Sequence, residues 1–140
     1  SSLDALKRAL LAAKSIAYSS SVSGVYVSTE LFQRLGIADQ VRAKSRRVAS
    51  EPVAAVVARG EAEIGFQQIS ELRPVPGVEV VGPLPPEAQR VTVFSAAAAA
   101  GSTNASGGRA LVAFLSSPAA SAAIAKSGMD PVTPLKKANR

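Results

Sequence analysis

The 140-residue sequence contains no cysteine, no histidine and no tryptophan. Without cysteine there is no disulfide, no thiolate nucleophile and no zinc-knuckle or iron–sulfur ligand set. Without histidine there is no Ser-His-Asp triad, no imidazole base and no His-ligated metal. Aromatic residues make up only 4% of the chain. A nucleic-acid surface normally needs a basic face with stacking aromatics, so no nucleic-acid partner is expected. No apolar run approaches the roughly 18–20 residues of a membrane span, so no membrane insertion is expected. No GxGxxG or GxxxxGK[ST] loop occurs. The acids Asp4, Asp39 and Asp130 are scattered, and Glu61 and Glu63 are the only close pair. No metal, cofactor or catalytic role is therefore expected, because the usual equipment is missing.

What remains is a globular composition, 47% hydrophobic and 19% charged, leaning on alanine and valine. Three of the 16 basic residues, Lys136, Lys137 and Arg140, fall in a final stretch without acids, so the body is only mildly basic despite the formal charge of +6. Such a balance suits a small anionic ligand better than a polyanion. The basic cluster Arg42, Lys44, Arg46 and Arg47 reads as a solvated edge. The opening SSLDALKRALLAAKS lacks the pattern of a signal peptide and reads as the middle of something longer.

Helical spacing of Leu3, Leu6, Leu10 and Ala13, with Ser2 as cap and Asp4 in the first turn, predicts a helix over 2–13. Ser15–Tyr18 predicts a buried strand, Val25–Leu35 a helix closed by Gly36, and Arg46–Ala49 a weak strand. Ser50-Glu51-Pro52 reads as a helix start running to Gly60, with Ser50 as cap. Ile64–Gln67 predicts a second buried strand. Val78–Val81 and Val91–Ala97 predict two more. Ser117-Pro118 starts a last helix, closed by Gly128. Alternating short strands and helices give an α/β fold, three layers deep, with a mainly parallel sheet.

Two strand-to-helix junctions and one strand end carry the candidate chemistry. Ser19-Ser20-Ser21-Val22-Ser23-Gly24 lies where open α/β sheets bind ligands, outside the carboxyl end of a strand. Serine hydroxyls and free helix N–H groups there suit an anion, and the alternative is a plain capping loop. Ala49-Ser50-Glu51-Pro52 is a second such junction, with capping again the alternative. Gln67 and Gln68 end the strand at Ile64, and alternation lets at most one of them face a pocket.

The segments LLAAKSIAYS, SGVYVSTELFQRLGI, PVAAVVARGEAEIGFQQISEL, VPGVEVVGPLPPE, VTVFSAAAAAG and ALVAFLSSPAASAAIAKSGM resemble, in that order, the molybdate-type substrate-binding proteins of ABC transporters, with the type II periplasmic-binding-protein fold. The resemblance covers about Leu3 to Asp130 and is most specific in ARGEAEIGFQQISEL and VVGPLPPE. It implies two α/β lobes clamping a ligand, with the N-terminal part of the first lobe missing. Residues 1–14 would be a leading helix from the inter-lobe region and 15–88 the second lobe. Residues 89–130 would be the strand and helices that complete the first lobe, and 131–140 a tail. It also implies a periplasmic protein that binds a small oxyanion or polar organic ligand and docks on an ABC permease. The implied ligand-binding residues are Ser20, Ser21, Ser23, Gly24, Ser50 and Gln68, the last standing where the family has a tyrosine. A rival expectation is an assembly module that has lost ligand binding and self-associates through residues 91–128.

Overall fold

A computed structural model describes residues 2–132 and divides them into two compact units, between Thr92 and Val93. The tail from residue 133 onward, with Lys136, Lys137 and Arg140, lies outside the described residues.

In the first unit α1 (Leu3–Ala12) starts where expected: Ser2 Oγ accepts the Ala5 N–H at 3.2 Å, and Asp4 sits in the first turn. Three short strands follow at intervals, β1 (Ile16–Ser19), β2 (Ser45–Val48) and β3 (Ile64–Phe66). All are parallel, in the order β2-β1-β3, with Ile16 opposite both Ser45 and Ile64. Helices cover both faces, which gives the expected three-layer α/β arrangement.

Alternation along β1 splits the core in two. Ile16 and Tyr18 face α1 and the helical stretch after β1, where Leu10, Leu31, Ile37 and Val41 are fully buried. Ala17 faces the other way, onto Val53 and Val56 of α5 (Val53–Ala58). Each such aliphatic side chain contributes about 1.5–3 kcal/mol on burial. Gly65 permits the second layer: a Cβ there would stand 2.8 Å from methyls of both Val53 and Val57.

The stretch after β1 is helical from Val22, earlier than its apolar spacing suggested. It comprises α2 (Val22–Tyr26), a π-turn at Val27–Leu31 and α3 (Phe32–Arg34). The Phe32 N–H reaches back to Val27 O, one residue further than in an α-helix. Nearby carbonyls are satisfied by hydroxyls: Ser28 Oγ donates to Gly24 O at 2.9 Å, and Thr29 Oγ1 to Val25 O at 2.7 Å. Gly36, at φ +65°, closes the stretch as expected, before α4 (Ala38–Arg42). The buried Tyr26 hydroxyl donates to Ala88 O at 2.6 Å. Arg34 donates to Glu87 O at 2.7 Å, and Arg90 lies over the Tyr26 ring and pairs with Glu30. The proline-rich return, with a 3-10 turn at Pro86–Ala88, is thereby fixed onto this helix.

The basic cluster is not simply a solvated edge. Lys44 Nζ donates to Leu11 O at 2.7 Å and Ala13 O at 2.6 Å, capping the carbonyl end of α1, where the helix dipole favours a cation. Arg46 pairs with Glu61.

Neither Val78–Val81 nor Val91–Ala97 forms a strand; both are irregular. Their alternation supplies strand propensity, but a strand exists only with a ladder partner, and neither has one. The expected strand at the head of residues 89–130 is corrected accordingly. The second unit contains α7 (Ala105–Leu115), capped by Asn104 Oδ1 on the Gly107 N–H, and α8 (Pro118–Ser127), closed by Gly128 at φ +95°. These two helices bend 71° from one another. No single helix among the described residues is long and apolar enough to cross a membrane.

Candidate functional site

Because the three strands run parallel and in register, the junctions that follow them leave the sheet at one end. Ser19 stands opposite Val48, and Tyr18 opposite Phe66. The loops at 20–24, 49–52 and 67–68 therefore share the carboxyl end of the sheet, where ligands bind in open α/β folds.

The first loop is built around hydroxyls. Among the described residues, Ser19 is the only buried one grouped as polar or charged, at 5% exposure. Its Oγ lies 2.8 Å from Ser21 Oγ and 3.1 Å from Ser23 Oγ, and the latter two are 3.2 Å apart. Three hydroxyls thus close a ring. Ser21 occupies the N-cap position of α2, yet its side chain makes no capping bond. Capping is therefore not what these serines do. Each is a rotor with one donor, and the closed ring uses all three, so an incoming oxygen accepts only by turning a hydroxyl out of the ring, with no counter-charge present. No hydroxyl of the ring bonds to an acidic or basic side chain among the described residues. Gly24 makes the loop possible: a Cβ there would overlap the Ser19 carbonyl oxygen and stand 2.6 Å from its carbon. Ser20 is exposed, and its N–H donates to Val48 O at 2.8 Å, extending the β1–β2 pairing.

At the second junction Ser50 is exposed and does not cap α5. Pro52 holds the N-cap position without a side-chain bond, and the Val53 N–H donates instead to Gln67 Oε1 at 2.8 Å. A residue from the end of β3 thus caps the helix that begins after β2. Glu51, the only acid among these junctions, is drawn away by Arg59, which holds it through two bonds of 2.8 and 3.0 Å. Arg59 also donates to Glu61 at 2.7 Å, and Arg46 to Glu61 at 2.8 Å. The bond from Arg59 holds the Glu51 carboxyl below the usual range. Bonds from Arg59 and then Arg46 hold Glu61 at about 2, and Glu51 and then Glu61 raise Arg59 further.

At the third position Gln68 is the backbone N-cap of α6 (Ile69–Leu72), with no side-chain capping bond. The candidate residues Ser20, Ser21, Ser23 and Gly24 thus share one loop. Ser50 and Gln68 sit on neighbouring junctions at the same sheet end, with no hydrogen bond to the serine ring among the described residues. Sequence reasoning placed Ser19 in this loop but not among the ligand-binding residues; its place on the α5 face of β1, in phase with buried Ala17, was the available signal. Two surface depressions lie elsewhere. One of about 200 Å³ is lined by Tyr18, Phe32 and Ser45, and one of about 330 Å³ by Lys14, Ile16, Lys44 and Ala62 at the amino ends of the strands. No group of three or more acidic side chains that could hold a metal occurs among the described residues.

Residues 1–130 match the model of a family described as bacterial extracellular solute-binding protein. The chain belongs to that family. This solute-binding protein is also 48% identical, over 132 residues, to an aconitate isomerase from Pseudomonas sp.. The match covers 94% of this chain and 50% of that relative, so the chain spans half the relative's length. No solved structure matches it. The family assignment supports a small-ligand-binding role and a secreted or periplasmic setting. The expectation of no catalytic role is corrected: the relative is named as an enzyme, and a missing His and Cys do not exclude one. That expectation failed because it counted side-chain types within a chain that spans half of such a relative.

Proposed function

We propose that residues 15–88 form one wall of a ligand cleft that holds a carboxylate of a small organic acid. Residues 89–130 help complete the opposing lobe. The complete periplasmic protein isomerises a polycarboxylic acid of the aconitate type. The observation that carries this reading is the hydroxyl ring of Ser19, Ser21 and Ser23, which caps nothing and stands at the carboxyl end of the sheet. A hydrogen bond to a charged acceptor contributes about 1.5–3 kcal/mol, so a few neutral donors suffice for a carboxylate once the cleft excludes water. Ser20, Ser50, one amide of the Gln67–Gln68 pair and the N–H groups at Ser23 and Gly24 supply further contacts. This chain's share of the reaction is to bind and orient the acid. The likeness to an aconitate isomerase favours a carboxylate over molybdate as the oxyanion.

The test uses the full-length protein. Titration calorimetry compares aconitate, molybdate and sulfate, while proton NMR of the alkene signal follows conversion between aconitate isomers. Aconitate binding with conversion is the expected result. Binding without turnover would assign the cleft to capture for an ABC permease, and molybdate binding alone would restore the inorganic ligand.

A second reading, self-association through residues 91–128, is favoured by one observation. In the second unit Val93, Phe94, Leu111, Phe114 and Leu115 are all exposed, apolar residues of the kind that mark interfaces. Light scattering across a concentration series tests it, and a monomer throughout removes it.

A further inference from the structure

We propose that Gln67, in place of its neighbour Gln68, is a ligand donor of this site, held in position by the helix it caps. The inference rests on the carboxylate-binding reading above. Gln67 follows β3 directly. Since Tyr18 pairs with Phe66, the next row of the sheet sets Gln67 level with Ser19. Alternation places both on the face that carries α5, with strands about 4.8 Å apart. Ser19 is the buried member of the hydroxyl ring, so Gln67 leaves the sheet level with the residue that anchors the ring.

The amide is oriented by its partner. Val53 N–H donates at 2.8 Å, and only a carbonyl oxygen can accept that bond, so Oε1 faces α5 and the NH2 group faces away from it. Gly65, two residues earlier on the same face, lets α5 approach closely enough for this contact. The NH2 group has no protein partner among the described residues, and the residue is only half-buried. The group is open to solvent, so a ligand oxygen can take the place of water as its acceptor. Glu51, the nearest acid in sequence to Val53, is engaged by Arg59 and does not compete. Gln67 therefore works from both ends of one amide: the carbonyl fixes the β3–α5 junction, and the NH2 reads the ligand.

Two substitutions in the full-length protein separate these ends. Gln67→Glu keeps an oxygen for Val53 N–H but removes the donor; Gln67→Met removes both. With aconitate as probe, both variants should bind at least about tenfold more weakly than the parent, the loss expected for a bond to a charged acceptor. Only Gln67→Met should melt at a lower temperature. Parent-like affinity in Gln67→Glu would overturn the donor role while leaving the carboxylate reading intact. Failure of the parent itself to bind aconitate would overturn both.

Discussion

Replacing Gly24 by alanine sets two effects against each other. Gly24 lies inside α2, and at an unconstrained helix position alanine is favoured over glycine by about 1 kcal/mol. Here the added Cβ would overlap the Ser19 carbonyl oxygen and lie 2.6 Å from Ser19 C and 2.9 Å from Ser19 N. These are backbone atoms, so no side chain can swing aside. Even a ~3.3 Å carbon–oxygen contact requires the helix start to withdraw from the strand end by more than the ~0.5 Å range that a hydrogen bond tolerates. The Ser19–Ser21 and Ser19–Ser23 bonds, at 2.8 and 3.1 Å, then break. Overpacking costs about 1–3 kcal/mol or more, which exceeds the propensity gain. Gly24→Ala should therefore lower the melting temperature by about 5 °C or more and abolish ligand binding. Gly101→Ala is the control, since nothing lies within 4 Å of its would-be Cβ. Circular dichroism melts and calorimetry on both variants decide the matter. A Gly24→Ala protein with unchanged melting and affinity would refute the close approach of α2 to β1.

Tyr26→Phe removes a buried donor and leaves Ala88 O, 1% exposed as a residue, without its partner. The expected loss is about 1–3 kcal/mol in urea denaturation, whereas Tyr18→Phe, whose hydroxyl makes no hydrogen bond among the described residues, should cost less. The carboxyls of Glu51 and Glu61 titrate lower in the folded state than the ordinary 4.5, so their stabilisation is present above that pH. It is lost as pH falls below that value, for Glu61 on the way down to about 2. Arg59→Gln should raise the Glu61 midpoint seen by carboxyl NMR, without restoring it fully because Arg46 remains; an unmoved midpoint would contradict the arrangement.

Local chemistry made much of the fold legible. Ser2, Gly36, Gly60, Ser117-Pro118 and Gly128 each end or begin an element through their own backbone or side-chain preferences, and the structure places them so. β1 and β3 were found to within about a residue because short apolar runs between helices leave few other options, whereas β2, carrying Arg46 and Arg47, reads only as a weak strand. The errors share a cause, which is distance along the chain. Ser50 fits a cap by sequence, yet the cap comes from Gln67. Val91–Ala97 has strand residues but no ladder partner. The serine loop was legible as a hydroxyl-rich junction at the end of a strand. Its closed hydroxyl ring was not, because hydroxyl orientation depends on where Gly24 brings the helix.

The π-turn at Val27–Leu31 has a consequence for this loop. Successive residues of an α-helix are about 100° apart, so one residue more in a single turn offsets everything beyond it by that angle. Upstream, the offset sets Gly24 against the strand end; downstream, it sets Phe32 and Leu35 into the core. The turn behaves as a one-residue insertion absorbed without a break. Deleting any one residue between 27 and 31 would straighten the helix and force a choice between its two ends. The number of residues in this stretch keeps the serine ring in phase with the core that Val27 and Leu31 help to fill.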